Sequence, residues 1–241
     1  EQSDNQIYTL RDRNNSRSSE NNVLNIFKRP SMIFLYLIVV VSGIFKCVMG
    51  NFALTFYEIT GNTESFSKIL LILRYSTEVI VLIFLSYVPV AHFTSMSLSL
   101  VLCGVSLFFD LKFTSFNNIV VTSNSYILVL SEILAGIGRA GFMFSSILIF
   151  KEYDTPKTVT QVQGIRNGAY NGIACVLIGL CAYVFIPKDL VDYRSLPKEE
   201  ASDMKQKQIL FFREMFSGLM YLLFSTIALS LLARYLFNKN R

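Results

Sequence analysis

The chain has 241 residues, 52% of them hydrophobic and only 16% charged, with a formal net charge of +5. Soluble domains hold about 45–50% apolar and about 25% charged residues, and here the apolar excess falls in runs too long for the buried stripe of a surface helix. A water-soluble enzyme and a nucleic-acid-binding domain are both excluded, because basic residues in such a chain flank membrane spans and set their orientation.

The chain opens on Glu1 rather than Met, as expected of a processed protein or of a piece of a longer one. Residues 1–30 are polar and carry Arg11, Arg13, Arg17, Lys28 and Arg29. They make no signal peptide, and their Asn-, Ser- and Arg-rich composition predicts a disordered cytoplasmic tail or linker. An apolar run of about 18 or more residues is long enough to cross the ~30 Å hydrocarbon layer as a helix. Such runs predict spans near 32–57, 67–88, 92–109, 124–151, 160–186 and 211–237. Their lack of alternating polarity favours helices over barrel strands. The expected fold is all-α: a polytopic membrane protein with six transmembrane helices inside residues 31–238 and a short cytoplasmic end at 239–241. Pro89, Val90 and Ala91 predict a tight turn between the second and third spans, and the charged stretch from Lys188 to Gln208 predicts a loop in water.

Orientation follows from Lys and Arg outside the spans. With the tail inside, the cytoplasmic side holds the five tail residues, Lys151, Lys157, Lys239 and Arg241. The other side holds Lys112, Lys188, Arg194, Lys198, Lys205 and Lys207. This balance places the N-terminal tail in the cytoplasm, where the sequon Asn14-Asn15-Ser16 stays unglycosylated.

The informative side chains are ionisable groups within the spans, since a charge at mid-bilayer costs at least ~2.5–3.5 kcal/mol. Lys46 lies near the middle of the first span. Arg74 and Glu78 are four apart on the second, and Glu132 and Arg139 seven apart on the fourth, so each pair shares a helix face. Lys46, Arg74, Glu78, Glu132 and Arg139 are the candidate substrate or ion pathway. Arg74 and Glu78 also suit a self-neutralising pair on one helix. Arg166 is close enough to a helix end to snorkel, and His92 is expected to be structural or solvated. Gly164, Gly168 and Gly172 form a stripe for close helix packing. Cys47, Cys103, Cys175 and Cys181 all fall in predicted spans and are expected as buried, inert thiols with no disulfide or zinc framework. Ser42-Gly43-Ile44-Phe45-Lys46 is similar to Ala135-Gly136-Ile137-Gly138-Arg139 at an offset of 93, and Arg74 and Arg166 stand at an offset of 92. The six spans are thus expected to be two inverted three-helix repeats, as in many secondary transporters. No catalytic residue, metal site or cofactor is expected, because the chain has one histidine, no G-x-S-x-G elbow and no paired aspartates; the chain is not read as an enzyme.

The stretch from Thr158 to Tyr183, with Gln163, Gly164, Gly168, Gly172 and Gly179, resembles span eleven of the lactose-permease-like branch of the major facilitator superfamily. Ser131-Glu132-Ile133-Leu134-Ala135-Gly136 resembles the start of its span ten, Thr77-Glu78-Val79 a step in its span eight, and Phe52 to Gly61 the aromatic exit of its span seven. The nearest branch is the animal major facilitator superfamily domain-containing protein six type. The resemblance implies the C-terminal six-helix half of a twelve-span transporter, whose other half, or a second copy, completes a central cavity. It also implies proton coupling or substrate contact at Glu78 and Glu132. The basic loop motif between spans eight and nine is absent; Pro89-Val90-Ala91-His92 stands there. Two functions are expected. The first is secondary transport of a small polar or organic solute, with protons as a possible second cargo. The second is a non-transporting membrane receptor or scaffold that keeps the transporter fold, with the tail and the 187–209 loop as its partner surfaces. The bilayer is the expected partner in both, in the plasma membrane or an endomembrane.

Overall fold

The computed structural model describes residues 29–114, 125–153, 158–185 and 198–239. The predicted disordered tail, except for its last two residues, and the sequon in it lie outside the described residues, as does the first part of the predicted 188–208 loop. All elements among the described residues are helical.

Helix α1, Pro30–Asn51, starts with a proline in its first turn, where the missing N–H and preset φ suit a helix start. It ends at Phe52, and the seven-residue α2, Ala53–Ile59, follows, so the single span predicted over 32–57 is two helices. Helix α3, Glu64–Tyr87, is capped by Thr63, whose hydroxyl accepts the Phe66 N–H at 3.3 Å. It stops where Val88 turns extended (φ −106°, ψ 122°) because Pro89 follows, and proline disfavours the helical conformation in the residue before it. Helix α4, His92–Thr114, returns after that short turn, and α5 is Ser125–Tyr153.

The fifth predicted span is a rod of three pieces: α6, Val159–Asn167; a π-helical segment, Gly168–Ile173; and α7, Ala174–Phe185. Gly168 and Ala174 both keep right-handed helical angles, so the rod runs through without a break. Helix α8, Lys198–Lys239, has 42 residues. It takes up residues 198–208, which the sequence places in a loop. Among the described residues five helices, α1, α3, α4, α5 and α8, are long and apolar enough to cross a membrane. The chain is an all-α, multi-pass membrane protein.

Helix contacts follow the sequence repeat. Helix α1 packs on α8 and on the π-α7 rod, α5 packs on α4 and α3, and α4 packs on α8. Mapping the first three spans onto the last three converts α1-with-rod into α5-with-α3 and α1-with-α8 into α5-with-α4. The contact between α4 and α8 maps onto itself. The repeated glycines are the seats of this packing. A Cβ at Gly136 stands only 2.7 Å from the Arg74 carbonyl oxygen and 2.9 Å from the Thr77 Cβ, and Gly43 lies as tightly against the Tyr170 carbonyl and Ala174. Thr77 and Tyr170 are themselves 93 positions apart.

Apolar side chains such as Leu35, Ile38, Phe45, Leu100, Leu107 and Phe142 fill the interior. Ile72, Ile80 and Phe84 of α3 stand outward, 64%, 65% and 63% exposed, a face that lipid tolerates and water does not. Gly136→Val is expected to force α3 from α5 and cost about 1–3 kcal/mol. The check is the melting temperature of detergent-solubilised protein, with Gly218→Ala, which has no atom within 4 Å of the new Cβ, as the neutral comparison.

Candidate functional site

Because α3 carries Arg74 then Glu78 and α5 carries Glu132 then Arg139, the two helices run in the same direction with opposite charge order, and each charge meets its opposite across the contact. Arg74 closes a fork on Glu132, Nε and Nη2 each donating to a carboxylate oxygen, and its Nη1 donates to the Met49 carbonyl at 2.8 Å. The Tyr57 hydroxyl of α2 donates to the same carboxylate. Arg74 and Glu132 are wholly buried. The second pair, Arg139 Nη2 to Glu78 Oε2, spans 3.1 Å, and its side chains are 3% and 15% exposed. The alternative of an Arg74–Glu78 pair within α3 is therefore corrected. A pair along one helix would leave the Glu132 and Arg139 charges without an opposite charge, whereas the cross-helix arrangement gives each of the four an oppositely charged neighbour at the depth where Gly136 brings the backbones together.

The five pathway residues thus divide in two. Arg74 and Glu132 form a closed latch. Arg139, Glu78 and Lys46 form a more open cluster, in which Lys46 lies within electrostatic reach of both others. Lys46 is half-buried; its Nζ donates to the Asn171 side-chain oxygen and lies 5.0 Å from the Tyr170 ring centre. The Arg139 guanidinium sits 5.3 Å from the Tyr75 ring centre. Two of its nitrogens, Nε and Nη1, are buried without an aligned acceptor among the described residues, and the Tyr170 hydroxyl stands beside the guanidinium as its nearest polar neighbour from the rod. Two cations here face one carboxylate, with donors to spare. Such an arrangement suits an incoming anionic group, for which guanidinium and phenol donors are well matched.

Other sequence-based expectations change in the structure. Arg166 does not snorkel. It is 4% exposed and donates through Nη1 to Ser146 at 2.9 Å, through Nε to Gln163 at 3.1 Å and through Nη2 to Asn167 at 3.1 Å. The buried side of α6 fixes this, because Val162 and Arg166 share the face turned to α5. The expectation of four inert thiols is corrected too. Cys47 and Cys175 form a disulfide between α1 and α7, Cys103 is a buried thiol and Cys181 an exposed one. A separation of 128 residues hides this pairing until α1 and the rod are seen side by side. Gly164, Gly168 and Gly172 have open space beside them, so within the described chain the stripe seats no helix. His92 lies 3.9 Å from Glu152, joining the turn after α3 to the end of α5. An apolar recess lined by Val81, Leu85, Leu98 and Ile137 sits between α3, α4 and α5 but holds no charged side chain.

Four residues of the site were not legible in the sequence: Tyr57, Tyr170, Asn171 and Asp110. The first three are ordinary aromatic or polar side chains in long apolar runs, and only the cross-helix contacts single them out. Asp110 lies one position beyond the predicted third span, where hydropathy assigns it to water; α4 continues to Thr114 and buries it completely.

The chain matches the MFS_1 like family over residues 1–184 and belongs to that family of the major facilitator superfamily. No curated protein matches it, and no solved structure does.

Removing one partner of a buried, hydrogen-bonded ion pair strands the other and costs about 3–5 kcal/mol. Glu132→Gln is accordingly expected to lower the unfolding temperature sharply, and combining it with Arg74→Gln is expected to recover a large part of the loss. A thermal-shift series on the three variants checks this; equal losses in Glu132→Gln and the double variant contradict the latch.

Proposed function

We propose that this member of the MFS_1 like family is a secondary transporter that moves a small polar or organic solute with an anionic group across a membrane by alternating access, and is not an enzyme. The observation that carries this reading is the Lys46–Arg139–Glu78 cluster, with two cations, one carboxylate and guanidinium donors on Arg139 that have no aligned acceptor. Lys46 and Arg139 are pseudo-equivalent residues of the two repeats, so they approach the centre of the bundle from opposite sides, as expected for a solute site where inverted repeats meet. Glu78 competes with the solute for Arg139. Protonating Glu78 releases Arg139 to the solute, and this couples uptake to protons; Glu132 enters the same cycle when its latch to Arg74 opens.

The chain is read as the C-terminal six-helix half of the lactose-permease-like branch, nearest the domain-containing protein six type. A second six-helix half, or a second copy, completes the path, with the N-terminal tail in the cytoplasm. The exposed side of the rod, with Gly164, Gly168 and Gly172, is available for that packing.

Uptake into proteoliposomes containing the full-length protein tests the reading with a panel of radiolabelled organic anions. Lys46→Ala with Arg139→Ala is expected to lower uptake about 10- to 100-fold, the loss of a charge-assisted hydrogen bond worth about 1.5–3 kcal/mol. Solute binding that survives both substitutions, with no uptake by either protein, supports a receptor or scaffold instead. Proton coupling predicts that a pH gradient, acidic on the uptake side, accelerates uptake in the unmodified protein. The acceleration is expected to vanish in Glu78→Gln and in the charge-balanced Arg74→Gln/Glu132→Gln protein. An unchanged pH response in both refutes coupling through these acids.

A further inference from the structure

Arg166 of α6 is a buried cation with no opposite charge. Among the described residues no carboxylate lies within ion-pair distance of it. Its three hydrogen bonds go to the neutral side chains of Ser146, Gln163 and Asn167. Two phenols, Tyr170 on the rod and Tyr36 on α1, lie within electrostatic reach. Buried charges are ordinarily paired, because burying one alone costs far more than burying a hydrogen-bonded neutral group. The repeat shows what is missing. Gly43 and Lys46 stand 93 positions before Gly136 and Arg139, whereas Arg74 stands 92 before Arg166. The π-helical turn at Gly168–Ile173 accounts for the difference, since such a turn holds one residue more than an α-helical one. Arg166 is thus the counterpart of Arg74. The counterpart of Glu132, 93 positions earlier, is Val39, a buried valine. One repeat answers its arginine with a carboxylate and the other does not.

Three of the five guanidinium N–H groups are used, which leaves one on each of Nη1 and Nη2. Asn167 accepts from Arg166 through its side-chain oxygen, and its amide nitrogen adds donors on the exposed flank of the helix. Such a donor set suits one carboxylate or phosphate group. Along α5, Ser146 stands two turns past Arg139, about 10 Å further on. Along the rod, Arg166 is one turn before Tyr170, which lies beside Arg139. Arg166 therefore continues the line of positive charge from the Lys46–Arg139 cluster toward the end of α5 at Tyr153.

We propose that Arg166, with Ser146, Gln163 and Asn167, is a second station for the anionic group of the solute, between the Lys46–Arg139 cluster and the end of the bundle where α5 stops. The inference rests on the transport reading above. The carboxylate or phosphate of the solute supplies the negative charge that Val39 does not, and it leaves again because no fixed carboxylate competes for the site or closes it.

Inorganic phosphate, added to the full-length protein in detergent, tests this. Lys46→Ala with Arg139→Ala removes the first station. Phosphate at several times its dissociation constant is expected still to raise the melting temperature of that protein, by about 2–4 °C, and adding Arg166→Gln is expected to abolish the rise. Equilibrium dialysis of labelled phosphate reads the same site without the background substitutions: Arg166→Gln is expected to bind one ion per chain fewer than the unmodified protein. Arg166→Gln keeps a polar side chain beside Ser146, Gln163 and Asn167 and removes an unanswered charge. Without phosphate it is therefore expected to melt no lower than the unmodified protein, and a marked drop identifies a structural arginine and overturns the proposal. In proteoliposomes Arg166→Gln is expected to lower the maximal rate of organic-anion uptake about 10-fold while the half-saturating concentration stays nearly constant. A phosphate response that survives Arg166→Gln, or uptake by that variant at the unmodified rate, overturns the second station and leaves the transport reading intact. Phosphate binding that is lost in Arg166→Gln, in a protein that takes up no anion, does the reverse.

Discussion

The fork that Arg74 closes on Glu132 is the constraint on which the interior of this bundle depends. Between helices in lipid there is no hydrophobic driving force of the kind that folds soluble proteins; packing and polar contacts decide which faces meet. A guanidinium and a carboxylate at bilayer depth leave few solutions, because each needs its opposite within hydrogen-bond reach. Gly136 makes the solution possible by letting the α5 backbone lie against the Arg74 carbonyl. With α3 and α5 fixed there, Glu78 meets Arg139 about one turn further along α3 and two turns further along α5. Tyr57, on the short helix α2 beyond the end of α1, ties a third element to the same carboxylate.

This arrangement separates two jobs that the sequence presents as one list of charges. The Arg74–Glu132 pair is dry, fully paired and structural in its resting form. The Lys46–Arg139–Glu78 cluster is underpaired and carries a surplus positive charge. The Arg139–Glu78 ion pair spans the same two helices as the latch, so it is the second of the two charge ties between α3 and α5.

The helical class and nearly all helix positions were legible because hydropathy over ~20 residues is a strong signal when lipid is the solvent. The repeat was legible as well. Its glycine-plus-base signature at Gly43–Lys46 and Gly136–Arg139 marks the places where each repeat receives the backbone of a neighbour. What could not be read was partner choice. One helix face shows that Arg74 and Glu78 point the same way, but not that a parallel helix offers them opposite charges in reverse order. The same blindness hid the Cys47–Cys175 bond and turned Arg166 from an expected snorkelling residue into an inward one. Asp110 was lost to a boundary, since a hydropathy window ends a span where charge begins, even when packing carries the helix five residues further. The break at Phe52 and the π-helical turn at Gly168–Ile173 have no periodic signature at all.

The last helix carries a further consequence. At 1.5 Å per residue, 42 residues make a rod about 63 Å long, roughly twice the ~30 Å that hydrocarbon can hold. Its first turns are polar, with Lys207 and Asp203 paired at 2.7 Å on an exposed face, so the excess length lies at the end suited to water. Since α8 leans on both α1 and α4, any change of tilt within the bundle is magnified along it. A pivot of only ~10° sweeps the tip of a ~30 Å projection through about 5 Å.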